Sequence, residues 1–127
     1  MRARLIQALD FFQIPMAGSI TVSKDQSWSA AGWVFRHVLR QTIPAIHPAN
    51  ERLIVALSNA FLEGRLEYVD LSPLSADEKR AFLEALREGF AKTEKDDSES
   101  FGDPEFYPGF ILRFKELIDL VAADVKV

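Results

Sequence analysis

The chain has 127 residues, of which 48% are apolar and none is Cys, and its formal net charge is −4. This length fits one domain whose core needs no disulfide, and the absence of Cys excludes thiolate metal ligands and a Cys nucleophile. No apolar run approaches the roughly 20 residues of a membrane-spanning helix, and the net acidity argues against nucleic-acid binding, which depends on neutralising phosphates.

The charge is unevenly distributed along the chain. Residues 1–60 carry six Lys/Arg and three Asp/Glu, whereas residues 61–127 carry nine Lys/Arg and sixteen Asp/Glu. The acidity therefore comes from the second half. We expect one domain over residues 1–127 that resides in the cytoplasm and binds neither membranes nor nucleic acid.

The first predicted element is an amphipathic helix over residues 2–13. Polar residues interrupt its apolar stretch, so a helix explains this segment better than a secretory signal does. Its apolar face has helical spacing and holds Leu5, Ile6, Leu9 and Phe12.

A short strand and a long helix are predicted next. Apolar and hydroxyl side chains alternate over residues 20–23, which indicates a strand, and residues 25–29 resemble a turn. Ser27 or Ser29 could cap a helix that runs to about Thr42, because a proline two residues later disfavours helical geometry before it. The predicted buried face of this helix holds Ala31, Val34, Phe35, Val38 and Leu39.

The middle of the chain predicts a further helix and a second strand. Pro48 suits the first position of a helix, and Gly64 suits its C-terminal end. The apolar-rich residues 66–71 then indicate a strand that could pair with residues 20–23. Two such strands are marginal alone and would have to pack on helices.

Two strongly amphipathic helices complete the chain. Ser75 and Glu78 have the spacing of a capping box, and the helix they begin is predicted to end near Thr93. The last helix is predicted to begin near Pro108, since a proline inside a helix loses a hydrogen bond. Its core stripe consists of Phe110, Ile111, Phe114, Leu117, Ile118 and Val121.

These elements predict a mainly α fold. About five amphipathic helices would surround one core, with room for a small two-stranded β element, and an α+β fold is the second choice. The sequence contains no internal repeat or low-complexity linker that would separate a second domain.

The strongest local charge in the sequence lies in the acidic segment, residues 94–105, whose net charge is about −5 by direct count. It connects the last two predicted helices. A positively charged partner would dock there most readily, although such a segment is also typical of a solvated connection. The predicted partner-binding residues are Glu94, Asp96, Asp97, Glu99, Phe101, Asp103 and Glu105.

Metal binding by this segment is not supported by its spacing. A calcium loop starting at Asp97 places Glu99 third and Gly102 sixth, as an EF-hand requires. However, Phe101 then occupies a ligand position, and Pro108 stands where the bidentate Glu belongs. We therefore expect no bound metal.

Histidine chemistry is equally weak. His47 precedes Glu51 by four residues, so the two could meet at a helix start, but local capping explains them better than acid–base catalysis. His37 lies between Arg36 and Arg40, which predicts a solvated basic helix face. Neither histidine has a catalytic signature around it.

The sequence also lacks the turn of a serine hydrolase and both common phosphate-binding loops. A catalytic pair of carboxylates, as in glycoside hydrolysis, stays possible, because the distance between two acidic side chains depends on the tertiary structure. We expect no cofactor, and an enzyme is the less favoured class.

Aromatic residues offer a second type of binding surface. Trp28 and Trp33 are five residues apart, so they cannot share a helix face, and one is expected to pack while the other is exposed. A second cluster could form a binding patch beside the acidic segment, although inward packing on the last helix is favoured. Its members are Phe101, Phe106, Tyr107 and Phe110.

Two functions remain. The first is a small acidic protein-binding module, such as an inhibitor or an immunity-type protein that covers a basic partner. The second is a small-molecule-binding protein or enzyme with a Phe-lined cavity between helices, suggested by the ten Phe residues. A cavity with convergent polar groups would favour the second, and a filled core beside an exposed acidic surface would favour the first.

Overall fold

The computed structural model describes residues 17–62, 68–96 and 107–125. The predicted helix over residues 2–13 and the predicted stop at Gly64 lie outside these ranges. Within them the elements are β1 (Ala17–Ser23), β2 (Gln26–Ala31), α1 (Gly32–Thr42), a 3₁₀ turn (Ile43–Ala45), α2 (Glu51–Leu62), β3 (Tyr68–Asp70), α3 (Ala76–Asp96) and α4 (Tyr107–Val125).

The sheet is built around β1, the middle strand in the order β2-β1-β3. Ile20 on β1 lies opposite Trp28 of the antiparallel β2 and opposite Val69 of the parallel β3. The predicted pairing of residues 20–23 with the strand in residues 66–71 is therefore confirmed. The sheet nevertheless has three strands instead of the two expected.

The additional strand corrects the prediction of a turn at residues 25–29. The turn is confined to Lys24 and Asp25, and β2 follows directly. Trp28 and Ala30 are buried while the serines beside them are exposed, which is the period of two that a strand requires. Ser27 and Ser29 fit both a helix N-cap and alternate positions of a short strand, so the prediction of a helix start here was wrong.

Helix α1 consequently begins at Gly32, and neither Ser27 nor Ser29 caps it. Ala31 is an exposed strand residue and not part of the helix face. The prediction of its end at Thr42 is confirmed, and the Thr42 hydroxyl donates to the Val38 carbonyl at 2.7 Å. The remaining face residues are buried as predicted: Val34, Phe35, Val38 and Leu39.

Helix α2 begins three residues later than predicted, at Glu51 instead of Pro48. A turn occupies the intervening residues, in which the Asn50 amide donates to the His47 carbonyl at 3.0 Å. The helix buries Leu53 and Leu57 completely. The predicted helix is therefore present, although it does not start at Pro48.

The capping box that starts α3 is confirmed. The Glu78 amide donates to the Ser75 hydroxyl at 3.1 Å, and the Ser75 amide donates to the Glu78 carboxylate at 2.8 Å. The helix continues past the predicted end near Thr93 and reaches Asp96. Thr93 is buried, and its hydroxyl donates to the Gly89 carbonyl at 2.8 Å, so this turn is held within the helix.

Helix α4 begins at Tyr107, one residue before the proline that was predicted to start it. Proline is tolerated there because the first turn of a helix leaves its amides without intrahelical partners. The predicted core stripe is buried except for Ile111, which is partly buried and packs against the core. Phe114 lies edge-on to Phe90, with centroids 5.3 Å apart, and 5.7 Å from Phe110.

The described part of the chain is predominantly helical, with four α-helices and one small sheet. The expectation of a mainly α fold is confirmed for these residues, which contain four of the about five helices predicted. The two-stranded element is corrected to three strands, and the arrangement also fits the second choice, α+β. Sheet and helices contribute to one cluster of buried side chains. Two glycines allow the closest approaches: Gly18 lies against the Phe35 ring, and Gly89 lies against the Gln41 carbonyl.

Candidate functional site

The structure places only the beginning of the predicted partner-binding segment. Glu94 is exposed in the last turn of α3, and Asp96 is the final residue of that helix. The remaining predicted residues lie outside the described ranges: Asp97, Glu99, Phe101, Asp103 and Glu105. The described surface nearest to the predicted partner-binding residues is therefore the C-terminal half of α3 with the surfaces beside it.

The position of Glu94 is unfavourable for helix stability. The C-terminal end of a helix carries a partial negative charge, so an acidic side chain there typically costs about 0.3–1 kcal/mol, whereas a basic one stabilises the helix. Glu94 lies in the last turn of α3, next to Lys95. The helix itself gives no reason for an acidic residue at this point.

A cleft opens between α3 and the 3₁₀ turn, directly before Glu94 along the helix. Its volume is about 260 Å³. This cleft was not predicted from the sequence, whose one sign of it is Gly89, since a glycine inside a predicted helix can mark close packing. The cleft is lined by Gln41, Pro44, Ala45, Glu88, Gly89 and Lys92.

A shallow depression continues from this cleft towards the acidic segment. It is lined by Ala91, Lys92, Glu94 and Lys95, so Lys92 borders both features. The two together form one continuous surface on the exposed side of α3. This surface leads from the 3₁₀ turn to the first predicted partner-binding residue.

A larger groove of about 630 Å³ lies between α3 and α4. Two arginines and two acids border it, so its charges balance: Arg80, Arg87, Glu84 and Asp119. Arg80 is held in place, because it donates to Asp77 at 2.8 Å and to the Val125 carbonyl at 3.5 Å. The balance gives this groove no preference for a basic partner.

The two tryptophans behave as predicted. Trp28 is 4% exposed and donates its indole N–H to the Arg113 carbonyl at 2.9 Å, whereas Trp33 is 40% exposed. The Trp33 ring stacks on Phe110 with centroids 6.1 Å apart. Phe110 is buried, so it belongs to the core and not to a binding patch, while Phe101 lies outside the described residues.

Both histidines are explained by local structure. The Nδ1 atom of His47 accepts the Ala49 amide at 3.0 Å, which supports the local capping role. His37 is half-buried and lies edge-on to Phe110, with centroids 4.9 Å apart, which corrects the expectation of a fully solvated basic face. Burial, and then the charge of Arg40, lower the pKa of His37.

Four of the described phenylalanines belong to the core. Each of them is 1% exposed or less: Phe35, Phe82, Phe110 and Phe114. The linings of the groove and the cleft described above contain no Phe, so these two openings do not support the alternative function, a Phe-lined site between helices.

Metal sites and membrane-spanning helices are two further possibilities. No group of three or more His, Asp or Glu side chains within residues 17–62, 68–96 and 107–125 could hold a metal ion. No helix in the same ranges is long and apolar enough to span a membrane.

The fold is similar to that of one chain in a solved structure from Burkholderia pseudomallei E479. That structure is a "CdiA-CT toxin" "in complex with cognate CdiI immunity protein". The TM-score is 0.64, the identity is 16%, and the match covers 83% of this chain and 93% of that chain. At this identity the likeness concerns the fold alone. No protein-family model and no curated protein matches the chain.

Proposed function

We propose that this protein is a small acidic protein-binding module of the inhibitor or immunity type, which covers a basic surface on a partner protein. The observation that carries the proposal is the fold likeness to a chain of a toxin–immunity complex. The net charge of −4, concentrated in the second half of the chain, supports it.

Charge makes the end of α3 the best place for such a partner. Glu94 opposes the helix dipole, so its contribution to folding is unfavourable or small. A partner with Lys or Arg residues would reverse that effect by supplying the missing positive charge. The acidic residues that follow in sequence, up to Glu105, would extend the same attraction.

Exposed charges of this kind chiefly accelerate association. They steer the encounter of two proteins over distances that salt limits to about 8 Å at physiological ionic strength. Tight binding would require further buried contacts, because exposed ion pairs are typically worth less than about 1 kcal/mol. The acidic segment would therefore select the partner and bring it to the surface of α3.

Affinity capture combined with a growth assay tests this proposal. The tagged full chain is incubated with a lysate of its native cells at low salt, and bound protein is eluted with a salt step. We expect one basic protein in stoichiometric amount. Expressed alone, that protein should inhibit growth, and co-expression of this chain should restore it.

The chain expressed alone provides the control. An immunity-type protein should be harmless, whereas growth inhibition by this chain would assign it the opposite role in such a pair. A captured protein that is harmless, or whose toxicity this chain does not relieve, would contradict the proposal. So would the absence of a stoichiometric partner at low salt.

A further inference from the structure

Strand β2 forms one edge of the sheet. In the order β2-β1-β3 it pairs with β1, and within residues 17–62, 68–96 and 107–125 no other backbone group bonds to it. An edge strand of this kind presents a row of amide and carbonyl groups to a further strand. Its outward side chains, Ser27, Ser29 and Ala31, are all exposed, so this side of the strand is open to solvent.

Strand β2 lacks the features by which edge strands usually avoid further pairing. Natural edges carry a lysine, a proline or a bulge that keeps another strand away. The sequence of β2 is QSWSAA, which contains neither a charge nor a proline. The irregularity of this strand pair lies on β1, between Thr21 and Ser23, and not on the edge itself. The edge is therefore suited to accept another strand.

The side chains of β2 complement a second copy of the same strand. Two such edges pair in the antiparallel direction about a two-fold axis, which gives a closed dimer. With the axis at Ser29, this residue faces its own copy, Ser27 faces Ala31, and Trp28 faces Ala30. On the buried side a large ring thus meets a methyl group, and on the exposed side all the paired side chains are small.

Other positions of the axis lose this fit. Residues that face one another in such a dimer must lie on the same side of the sheet, so the axis passes through a residue and the register changes in steps. An axis at Trp28 places two indole rings at directly opposed positions. An axis at Ser27 or Ala30 shortens the pairing at one end of the strand. Ser29 is therefore the best centre.

The charges around β2 also fit a second copy. The acidity of the chain comes from its second half, whereas residues 1–60 have more basic than acidic side chains. The same register brings the exposed Asp25 of one copy to the start of α1 in the other. The first turn of α1 has no acidic residue, and its N-cap, Ala31, supplies no side-chain bond. A carboxylate there meets the positive end of the helix dipole.

We propose that this protein forms a two-fold symmetric dimer in which β2 pairs antiparallel with β2 of a second copy, centred on Ser29. The sheet then continues from one copy into the other, and Asp25 of each copy lies at the start of α1 of its neighbour. Because α3 takes no part in this pairing, the inference is independent of the proposed function. The dimer carries the acidic segment twice.

Sedimentation velocity of the full chain over a wide range of protein concentrations tests the dimer. We expect a reversible equilibrium between monomer and dimer. Ser29→Lys should raise the dissociation constant by about fivefold, because it sets two like charges directly opposite each other. Ala91→Lys makes the same charge change at an exposed position of α3 and should leave the constant unchanged. Far-UV circular dichroism shows that each variant keeps its fold.

A charge exchange at position 29 tests the register. Ser29→Glu alone should weaken the dimer as Ser29→Lys does. An equimolar mixture of the two variants should associate more tightly than either variant alone, because the axis places position 29 against position 29. Asp25→Asn, which a turn tolerates, should raise the dissociation constant by about two- to fivefold through loss of the charge at α1.

Four outcomes would overturn the proposal. The first is an unmodified protein that stays monomeric up to its solubility limit. The second is a dimer that Ser29→Lys and Ala91→Lys weaken equally or leave unchanged, and the third is a mixture no tighter than its components. The fourth is hydrogen exchange of the β2 amides that slows only when the captured partner is added, which would assign the edge to a strand of that partner.

Discussion

At the scale of single residues, Gly18 shows how closely the core constrains the chain. It lies on β1 opposite Ala30, and a Cβ atom at this position would collide with the Cβ and Cγ atoms of Phe35. Phe35 is 1% exposed and has no space into which to retreat. A side chain at position 18 would therefore push the sheet and α1 apart.

Gly18→Ala should lower the free energy of unfolding by about 1–3 kcal/mol, the usual cost of overpacking a filled core. Gly109→Ala is the matched control, because no atom lies within 4 Å of the position a Cβ would take. It sits in α4, where replacing Gly by Ala should add roughly 0.5–1 kcal/mol. Urea denaturation measures both, and equal effects would contradict the contact.

His37 gives the protein a predictable response to acid. Its pKa is lowered below the ordinary 6.5 because it is partly buried and lies near Arg40. As the pH falls, the unfolded chain therefore takes up this proton first, and the contribution of His37 to stability is lost. That contribution is complete above pH 6.5 and decreases as the pH falls through the lowered pKa.

His37→Gln should accordingly reduce the loss of unfolding free energy between pH 7.5 and about 5. The unmodified protein is the reference, and denaturant titrations of both proteins at each pH provide the measurement. Identical pH profiles for the two proteins would show that His37 does not carry the effect.

At the scale of elements, α4 supplies the clearest connection between sequence pattern and packing. Phe114 is fully buried and contacts the rings of Phe90 on α3 and Phe110 one turn earlier. Replacing it would remove a ring that joins two helices. The sequence indicated this role through helical spacing alone.

Phe114→Ala should lower the free energy of unfolding by about 3–5 kcal/mol, through lost burial and the cavity that remains. Leu112→Ala on the same helix is the control, because Leu112 is 58% exposed, and its effect should stay within about 0.5 kcal/mol. Chemical denaturation compares them. A loss below roughly 1 kcal/mol for Phe114→Ala would mean that this ring is not part of the core.

The sequence predicted long elements well and short ones poorly, for physical reasons. Helices α3 and α4 repeat their apolar spacing over several turns, and the Ser75–Glu78 capping box marks one start directly. Strand β2 has six residues, and its serines fit either the exposed face of a strand or a helix cap. Its assignment depends on pairing with β1, which local patterns do not contain.

At the scale of the whole molecule, charge and core are separated. The apolar side chains of sheet and helices form one buried cluster, while α3 carries charged side chains along its exposed side towards the acidic segment. The sequence indicated this segment through its composition. It could not indicate the cleft, because Gln41 and Glu88 are 47 positions apart and meet only through the helix crossing at Gly89.

The central claim is that the acidic segment drives partner association through charge. Its most direct test replaces Asp96, Asp97 and Glu99 by Asn, Asn and Gln and measures association and dissociation rates with the captured partner at low and high salt. We expect slower association at low salt and a smaller salt dependence, because charge acts mainly on the encounter of two proteins. Association rates equal to those of the unmodified protein at both salt concentrations would contradict the claim.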